Sequence, residues 1–196
     1  MLFVIVLFIV FIVITSLIIK SIDFDRIEIK QAGNKGERIA KSIIKDILFE
    51  NDYYLYNVKI QYKNRKTELD NLIINEYGIF IIEVKNLNGK LVGGENDYEW
   101  TKYKQSYDDT FVKKVKNPIK QVKREASILG NLLKEKGIYT WVNGYVYFVN
   151  NNSTIRDKHI LNNVDEINKR IHTTKKKKLS NQTINEIKAI ICDALK

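Results

Sequence analysis

The stretch TELDNLIINEYGIFIIEVKN, residues 67–86, decides the predicted fold of this 196-residue chain. Two apolar runs, about residues 67–74 and 79–86, flank the polar segment Asn75-Glu76-Tyr77-Gly78, which is typical of a turn. The second run is apolar on both faces until Glu83, as expected of a strand at the centre of a sheet. Because a tight turn joins the two strands, we expect them to pair antiparallel, with the beginning of one beside the end of the other.

This pairing predicts that Asp70, Glu83 and Lys85 meet at one end of the sheet. Asp70 stands near the beginning of the first strand, and Glu83 and Lys85 share a face of the second because they are two residues apart. Two carboxylates and an ammonium beside apolar residues are costly unless they are paired or bind a metal. A hard divalent cation with oxygen ligands, Mg²⁺ or Mn²⁺, meets that need.

These residue types supply the parts for metal-assisted hydrolysis of a phosphodiester bond. A divalent ion activates water, and Lys85 can orient or deprotonate that water or neutralise the developing anion. Structural alternatives stay open, since Asp70 can simply end a turn and Glu83 with Lys85 can form a cross-strand ion network.

The surrounding sequence predicts a mixed α/β domain around a small sheet. A helix is expected at about residues 36–49, and a period-two strand at 54–62 completes a three-stranded meander. Asn117-Pro118 is typical of a helix start, with Asn as N-cap and Pro at the first helical position. A buried strand is expected at residues 142–149, and shorter ribbons and helices at about 90–92, 98–103, 164–171 and 182–195.

Several pieces of the chain resemble one family. They are Gly36-Glu37, Thr67-Glu68-Leu69-Asp70, residues 78–86 with Glu83-Val84-Lys85, Gly89, Trp100, and Asn117-Pro118-Ile119-Lys120-Gln121-Val122. In this order they look like the nuclease-related domain, NERD, with the D-x12-E-x-K spacing of PD-(D/E)xK nucleases. The resemblance is strongest over residues 33–149, although Leu69 stands where the broader signature often has Pro.

The resemblance implies a restriction-endonuclease-like core of helix, three-stranded meander, helix and strand. It also implies roles for individual residues. Asp70 and Glu83 would be metal ligands, Lys85 the catalytic lysine, Glu37 a helix carboxylate that supports the metal site, and Gln121 a helix residue at the site. The local sequence also allows structural roles for two of these residues. Glu37 can interact with the helix dipole, and Gln121 can be a solvated side chain.

The formal net charge of +10 favours a polyanionic partner, nucleic acid or anionic lipid. Exposed basic groups that can follow a phosphate backbone are expected at Lys63, Arg65, Lys66, Lys120 and Arg124, although a charge run is often only a solvated face. The single cysteine, Cys192, excludes an intrachain disulfide and a thiolate zinc cluster. His159 and His172 are too few and too far apart for a helical zinc motif.

Residues 1–19 are predicted to form a transmembrane anchor. Residues 2–19 contain no charge, Pro or Gly, and as a helix they would span roughly 27 Å. A cleaved signal peptide is disfavoured because no basic residue precedes the apolar run. Lys and Arg follow the span closely, so residues 20–32 are expected to be a linker and residues 33–196 a domain that faces the cytoplasm from the cell membrane.

The leading hypothesis is a membrane-anchored nuclease that needs Mg²⁺ or Mn²⁺ and acts on DNA. Two alternatives use the same fold without catalysis: a nucleic-acid-binding module, and a membrane scaffold whose basic surface binds lipid or a protein. Phosphate-binding Gly loops, nucleophilic Ser motifs and zinc motifs are not found in the sequence.

Overall fold

The computed structural model describes residues 2–87, 89–105, 109–150, 155–174 and 176–194, with the side chains of residues 2–9 and 17–29 left undescribed. The chain divides into two compact units, Met1–Lys35 and Gly36–Lys196. Helix α1 spans Leu2–Ile47, so the predicted linker at residues 20–32 is helical.

The N-terminal anchor stays a prediction. Across the side chains that the structure describes, no helix is long and apolar enough to cross a bilayer. Of the predicted span, residues 2–9 and 17–19 lie outside those described side chains.

The second unit is a mixed α/β domain. After α1 its elements are β1 (Tyr53–Tyr62), β2 (Arg65–Asn75), β3 (Gly78–Lys85), β4 (Lys90–Val92), β5 (Glu99–Gln105), β6 (Thr110–Lys116), α2 (Pro118–Glu135), β7 (Val142–Phe148), β8 (Ile160–Leu161), α3 (Val164–Ile171) and α4 (Asn181–Ala194). The predicted order of helix, meander, helix and strand is present.

The central sheet has the strand order β1-β2-β3-β7-β8. Its first three strands are antiparallel neighbours, as the tight turns predict. Strand β7 returns through α2 and pairs parallel with β3, and β8 pairs parallel with β7. The third strand of the meander, β3, therefore lies at the centre of the sheet, as its apolar sequence predicts.

A second sheet, β4-β5-β6, is inserted between β3 and α2. The sequence predicts the β4 and β5 ribbon but not β6. Strand β6 is exposed along most of its length and carries three lysines, so its residues do not alternate between apolar and polar. It pairs antiparallel with the preceding strand β5, which its periodicity does not show. Trp100 on β5 is fully buried.

Two apolar clusters cover the two faces of the central sheet. One face packs on α2 and α4 and includes Leu72, Ile79 and Ile81. The other packs on the C-terminal part of α1 and on α3 and includes Ile73, Phe80, Ile82, Ala40 and Ile167. Glu83 and Lys85 continue the alternation of Ile79 and Ile81, so they belong to the face covered by α2.

Candidate metal centre

Strands β2 and β3 separate at the end that carries the acidic residues. Their ladder runs from Asn75 with Gly78 as far as Leu72 with Ile81. Beyond that pair, a side chain replaces the backbone bonds, since the Asn71 amide donates to the Ile82 carbonyl at 3.0 Å. Asn71 is buried and accepts a hydrogen bond of 2.7 Å from the Tyr54 hydroxyl on β1.

Asp70 occupies the opening between the two strands. Continuing the register past Leu72 and Ile81 places Asp70 opposite Glu83. The Asp70 Oδ2 accepts a hydrogen bond of 2.8 Å from the backbone N–H of Val84. Asp70 thus takes the place of a ladder carbonyl and turns its carboxylate toward β3.

A local irregularity of β2 accompanies this opening. Leu69 and Leu72 both belong to the α2-side core cluster although they are three residues apart. The side-chain alternation therefore slips by one position across Asp70 and Asn71. Opposite them in β1, Asn57 has a φ of 51°, which is uncommon for a residue other than glycine.

Glu83 is a buried carboxylate with only one partner. It is 2% exposed, and its Oε1 accepts a hydrogen bond from the Lys85 ammonium. Its Oε2 has no hydrogen-bond partner among the described residues. A buried carboxylate oxygen left without a partner is expensive, so the site has an unmet need for a donor or a cation.

The electrostatics of Asp70 show the same need. Burial, followed by the charge of Glu83, raises the pKa of Asp70 to about 7. The hydrogen bond from Val84 and the Lys85 ammonium act in the opposite direction but do not offset these effects. The single ammonium is thus insufficient for the carboxylates around it.

Helix α1 brings Glu37 to this end of the sheet. Gly36 is buried so closely against the end of β3 that a Cβ there would lie 2.4 Å from the Cβ of Asn86. Only glycine permits this approach of helix and strand. The half-buried Glu37 follows, and its charge contributes to the raised pKa of Asp70.

Helix α2 closes the site from above the sheet. The buried Asn117 caps it, as predicted, by accepting hydrogen bonds from Ile119 N and Lys120 N. At Gly144 of β7 an added Cβ would lie 2.9 Å from Val122 Cγ2, so the helix packs directly against the strand backbone. Gln121 and Glu125, one turn apart on α2, are joined by a hydrogen bond of 3.0 Å from Gln121 Nε2 to Glu125 Oε1.

Glu125 is a site residue that the sequence analysis missed. It is 1% exposed, and its Oε2 has no hydrogen-bond partner among the described residues. Burial and then the charge of Glu83 raise its pKa to about 8, against the effect of the Gln121 hydrogen bond. The available signal was its spacing, because a carboxylate three residues after Val122 and four before Leu129 lies within the apolar stripe of the helix.

The donor set fits a divalent cation that is held by few protein ligands. Within the described ranges, three metal-ligating atoms lie within 4.8 Å of one another only at Glu95, Asp157 and His159. The carboxylates around Glu83 are therefore too widely spaced for one three-ligand cage. Mg²⁺ usually keeps several waters and needs only one or two carboxylates, a number that Asp70 and Glu83 would supply.

The cluster of Glu95, Asp157 and His159 was not predicted, and its charges are already matched. Glu95 forms an ion pair with Lys123. Asp157 Oδ1 accepts a hydrogen bond of 2.8 Å from the backbone N–H of His159. The same oxygen lies 2.7 Å from Nδ1 of the His159 ring. In contrast to Glu83, neither carboxylate is deeply buried with an oxygen that lacks a partner.

The family model of the nuclease-related domain, NERD, matches residues 32–149. The chain belongs to this family. NERD is part of the PD-(D/E)xK nuclease-like superfamily, whose domains typically use divalent metals. A similar protein is an uncharacterized protein of Bacillus anthracis, 30% identical over 87 residues, a match that covers 42% of this chain and 41% of the relative. No solved structure matches the chain.

In this NERD domain the basic residues singled out in the sequence are all exposed. Lys63, Arg65 and Lys66 lie at the β1–β2 hairpin, while Lys120 and Arg124 lie on the outer side of α2. The Arg124 guanidinium donates to the Lys66 carbonyl at 3.1 Å, which joins the hairpin to the helix. The basic residues of the hairpin and of α2 thus form one surface. Gln121 and Glu125 lie on the opposite, inner side of the same helix.

Proposed function

We propose that this protein is a nuclease that depends on a divalent metal ion, Mg²⁺ or Mn²⁺, and hydrolyses phosphodiester bonds of DNA. The observation that carries the proposal is the separated end of β2 and β3. There Asp70, Glu83 and Lys85 come together, and the buried Glu83 Oε2 has no partner among the described residues. Membership of a nuclease-related family supports the same chemistry.

Asp70 and Glu83 would hold the cation. Both are carboxylates that repel each other when ionised, and burial makes that repulsion stronger. A cation between them would offset the repulsion. When bound, the ion supplies a water of lowered pKa and stabilises negative charge on the phosphate. Glu37 would support the metal site from α1, and Gln121 bonds the Glu125 carboxylate on α2.

Lys85 is the residue of this set that can reach both the carboxylates and the substrate. Its ammonium bonds Glu83, and its side chain is 26% exposed, so it extends from the buried site toward solvent. In that position it orients the attacking water and neutralises charge that develops on the phosphate oxygens.

The basic surface of the hairpin and α2 would bind the DNA backbone beside this site. Lys63, Arg65, Lys66, Lys120 and Arg124 offer exposed cations for phosphate contacts. Residues 2–19 would anchor the protein in the cell membrane, with the domain on the cytoplasmic side, on the strength of their apolar sequence and the Lys and Arg that follow.

A cleavage assay tests the proposal. The full chain in detergent is incubated with supercoiled plasmid and with single-stranded DNA, in Mg²⁺, in Mn²⁺ or in EDTA. We expect cleavage with the metal ions, none in EDTA, and loss of cleavage in Glu83→Ala. Glu95→Gln, in the other acidic cluster, should cut like the wild type. Absence of cleavage with either ion, or unchanged cleavage by Glu83→Ala, would refute the proposal.

A further inference from the structure

Glu125 stands out among the buried groups that the proposed reaction does not use. It lies in the apolar interface of α2 with the sheet, whose core includes Val122 and Leu129. Only one of its oxygens has a partner, the Gln121 amide. A glutamate kept in such a place costs stability unless something else binds its second oxygen.

Glu83 connects Glu125 to the proposed metal site. Glu83 lies on the face of β3 that α2 covers, and Glu125 lies in the buried stripe by which α2 packs on the sheet. Asp70 is opposite Glu83 on the neighbouring strand β2 when the register of Leu72 with Ile81 is continued. Glu83 therefore has Asp70 beside it in the sheet and the helix that carries Glu125 above it. Glu83 Oε2 and Glu125 Oε2 are also the buried side-chain atoms without a hydrogen-bond partner in the part of the chain that the structure describes.

The charges near Glu83 exceed what one divalent cation can balance. When ionised, Asp70, Glu83, Glu125 and Glu37 carry four negative charges, and the Lys85 ammonium that bonds Glu83 carries one positive charge. A bound phosphodiester adds a further negative charge. Among the described residues, three ligand atoms do not converge here within 4.8 Å, so a single ion bound to Asp70, Glu83 and Glu125 together does not fit this arrangement.

We propose that Glu125 is a metal ligand, and that it forms with Glu83 a second cation position beside the one formed by Asp70 and Glu83. This inference rests on the proposed function and adds to it a site for two divalent ions that share Glu83. When bound, two such ions would stabilise both the attacking and the leaving oxygen of a phosphodiester displacement. Gln121 is then a positioning residue, since it fixes the Glu125 carboxylate through Oε1.

Binding of Mn²⁺ alone to the full chain in detergent, measured by calorimetry, tests the proposal. We expect Glu125→Gln to bind one Mn²⁺ fewer than the wild type. The matched control is Glu135→Gln, an exposed glutamate at the end of the same helix, which should bind as the wild type does. Glu95→Gln identifies any ion held by the cluster of Glu95, Asp157 and His159.

Electron paramagnetic resonance of the wild type at saturating Mn²⁺ gives a readout that needs no variant. Two ions that share Glu83 should give a spin-coupled spectrum, which Glu125→Gln should convert to the six-line spectrum of an isolated ion. An uncoupled spectrum in the wild type, or an unchanged Mn²⁺ count in Glu125→Gln, would overturn the two-ion proposal. The proposed function survives that result if Glu83→Gln still loses Mn²⁺, and fails with it if Glu83→Gln and Asp70→Asn both bind as the wild type does.

Discussion

At the scale of single residues, the site is defined by carboxylates that lack enough positive charge. Glu83 and Glu125 each keep one buried oxygen without a partner among the described residues, and Asp70 has a pKa raised to about 7. Stable cores rarely keep such groups without a function, because each one lowers the free energy of unfolding and so destabilises the fold. The same unbalanced charge is what a divalent cation would bind.

Lys85→Met should separate metal binding from cleavage. The methionine retains an unbranched side chain of similar length but removes the ammonium that bonds Glu83. We expect cleavage to fall about 10²–10⁴-fold, the usual contribution of a positioned acid–base group, while Mn²⁺ binding is retained. Rates from the plasmid assay and calorimetry on the same protein measure the two effects. Equal losses of binding and cleavage would show that Lys85 acts only by holding the carboxylates.

The metal-free protein should lose stability as the pH rises from 5 to 8. The folded-state pKa values of Asp70 and Glu125, about 7 and about 8, exceed the ordinary values of 3.8 and 4.5. The folded state therefore holds protons that the unfolded state releases, so this contribution is complete below the ordinary values and is lost as the pH passes the raised ones. Melting temperatures in EDTA should decrease over this range.

The double variant Asp70→Asn, Glu125→Gln is the control for this pH dependence, because neither replacement ionises. Its melting temperature in EDTA should vary less between pH 5 and 8 than that of the wild type. Added Mn²⁺ should raise the wild-type melting temperature more at pH 8, where the ligands are ionised, than at pH 5. A wild-type melting temperature that increases with pH in EDTA would contradict this account.

Residue types and spacing in the sequence sufficed to predict that Asp70 and Glu83 lie opposite each other, since a tight turn leaves little freedom of register. The roles assigned to these residues stay predictions. Glu125 was not predicted, because the apolar periodicity of the helix shows which face is buried but assigns no role to a charged residue on that face. The slip in β2 at Asp70 was not predictable, since it depends on a side chain replacing a backbone acceptor.

At the scale of elements, two glycines allow helices to carry acidic residues to the sheet. Gly36 admits α1 against the end of β3, and Gly144 admits α2 against β7. In each case a Cβ would come closer than 3.0 Å to a neighbouring atom. The depth at which Glu37, Gln121 and Glu125 reach the site thus depends on these two close contacts.

Gly144→Ala should destabilise the domain by about 1–3 kcal/mol, the usual cost of overpacking, because its Cβ would meet the side chain and backbone carbonyl of Val122. It should also weaken Mn²⁺ binding, since α2 must move outward with Glu125. Gly130→Ala is the matched control within α2, where the nearest atom would be 3.8 Å away. That substitution should stabilise the helix by about 0.5–1 kcal/mol. Chemical denaturation of both variants checks the signs.

Local signals predicted the elements that have strong periodicity or caps, such as β1, β3 and α2. Strand β6 was not predicted because its exposed, lysine-rich sequence does not alternate between apolar and polar residues. Strand β8 was not predicted because two residues are too few to form a pattern. Strand β6 thus adds a third strand to the ribbon of β4 and β5 that was predicted between β3 and α2. Lys102 and Lys113 face each other across β5 and β6, which is unfavourable without an anion nearby.

At the scale of the whole molecule, the net charge of +10 would act in DNA binding only through the groups placed beside the site. Arg65 on the hairpin and Lys120 on α2 are both exposed and belong to the surface joined by Arg124 and Lys66. Phosphate contacts release counterions, so they make the binding constant fall with salt in proportion to their number.

The double variant Arg65→Ala, Lys120→Ala should bind DNA more weakly, and the slope of log K against log salt should decrease by about 2. Lys136→Ala removes an exposed charge at the other end of α2 and should leave the slope unchanged. Fluorescence anisotropy with labelled DNA, in EDTA to prevent cleavage, measures both. If the double variant and Lys136→Ala have equal slopes, the hairpin and α2 do not form the DNA-binding surface.

The central claim is that Asp70 and Glu83 hold a divalent cation. The most direct measurement is anomalous X-ray diffraction from crystals of the protein soaked in Mn²⁺. We predict a manganese peak in bonding distance, about 2.1 Å, of an Asp70 oxygen and a Glu83 oxygen. A difference map with peaks only at Glu95, Asp157 and His159, or with none, would contradict the claim.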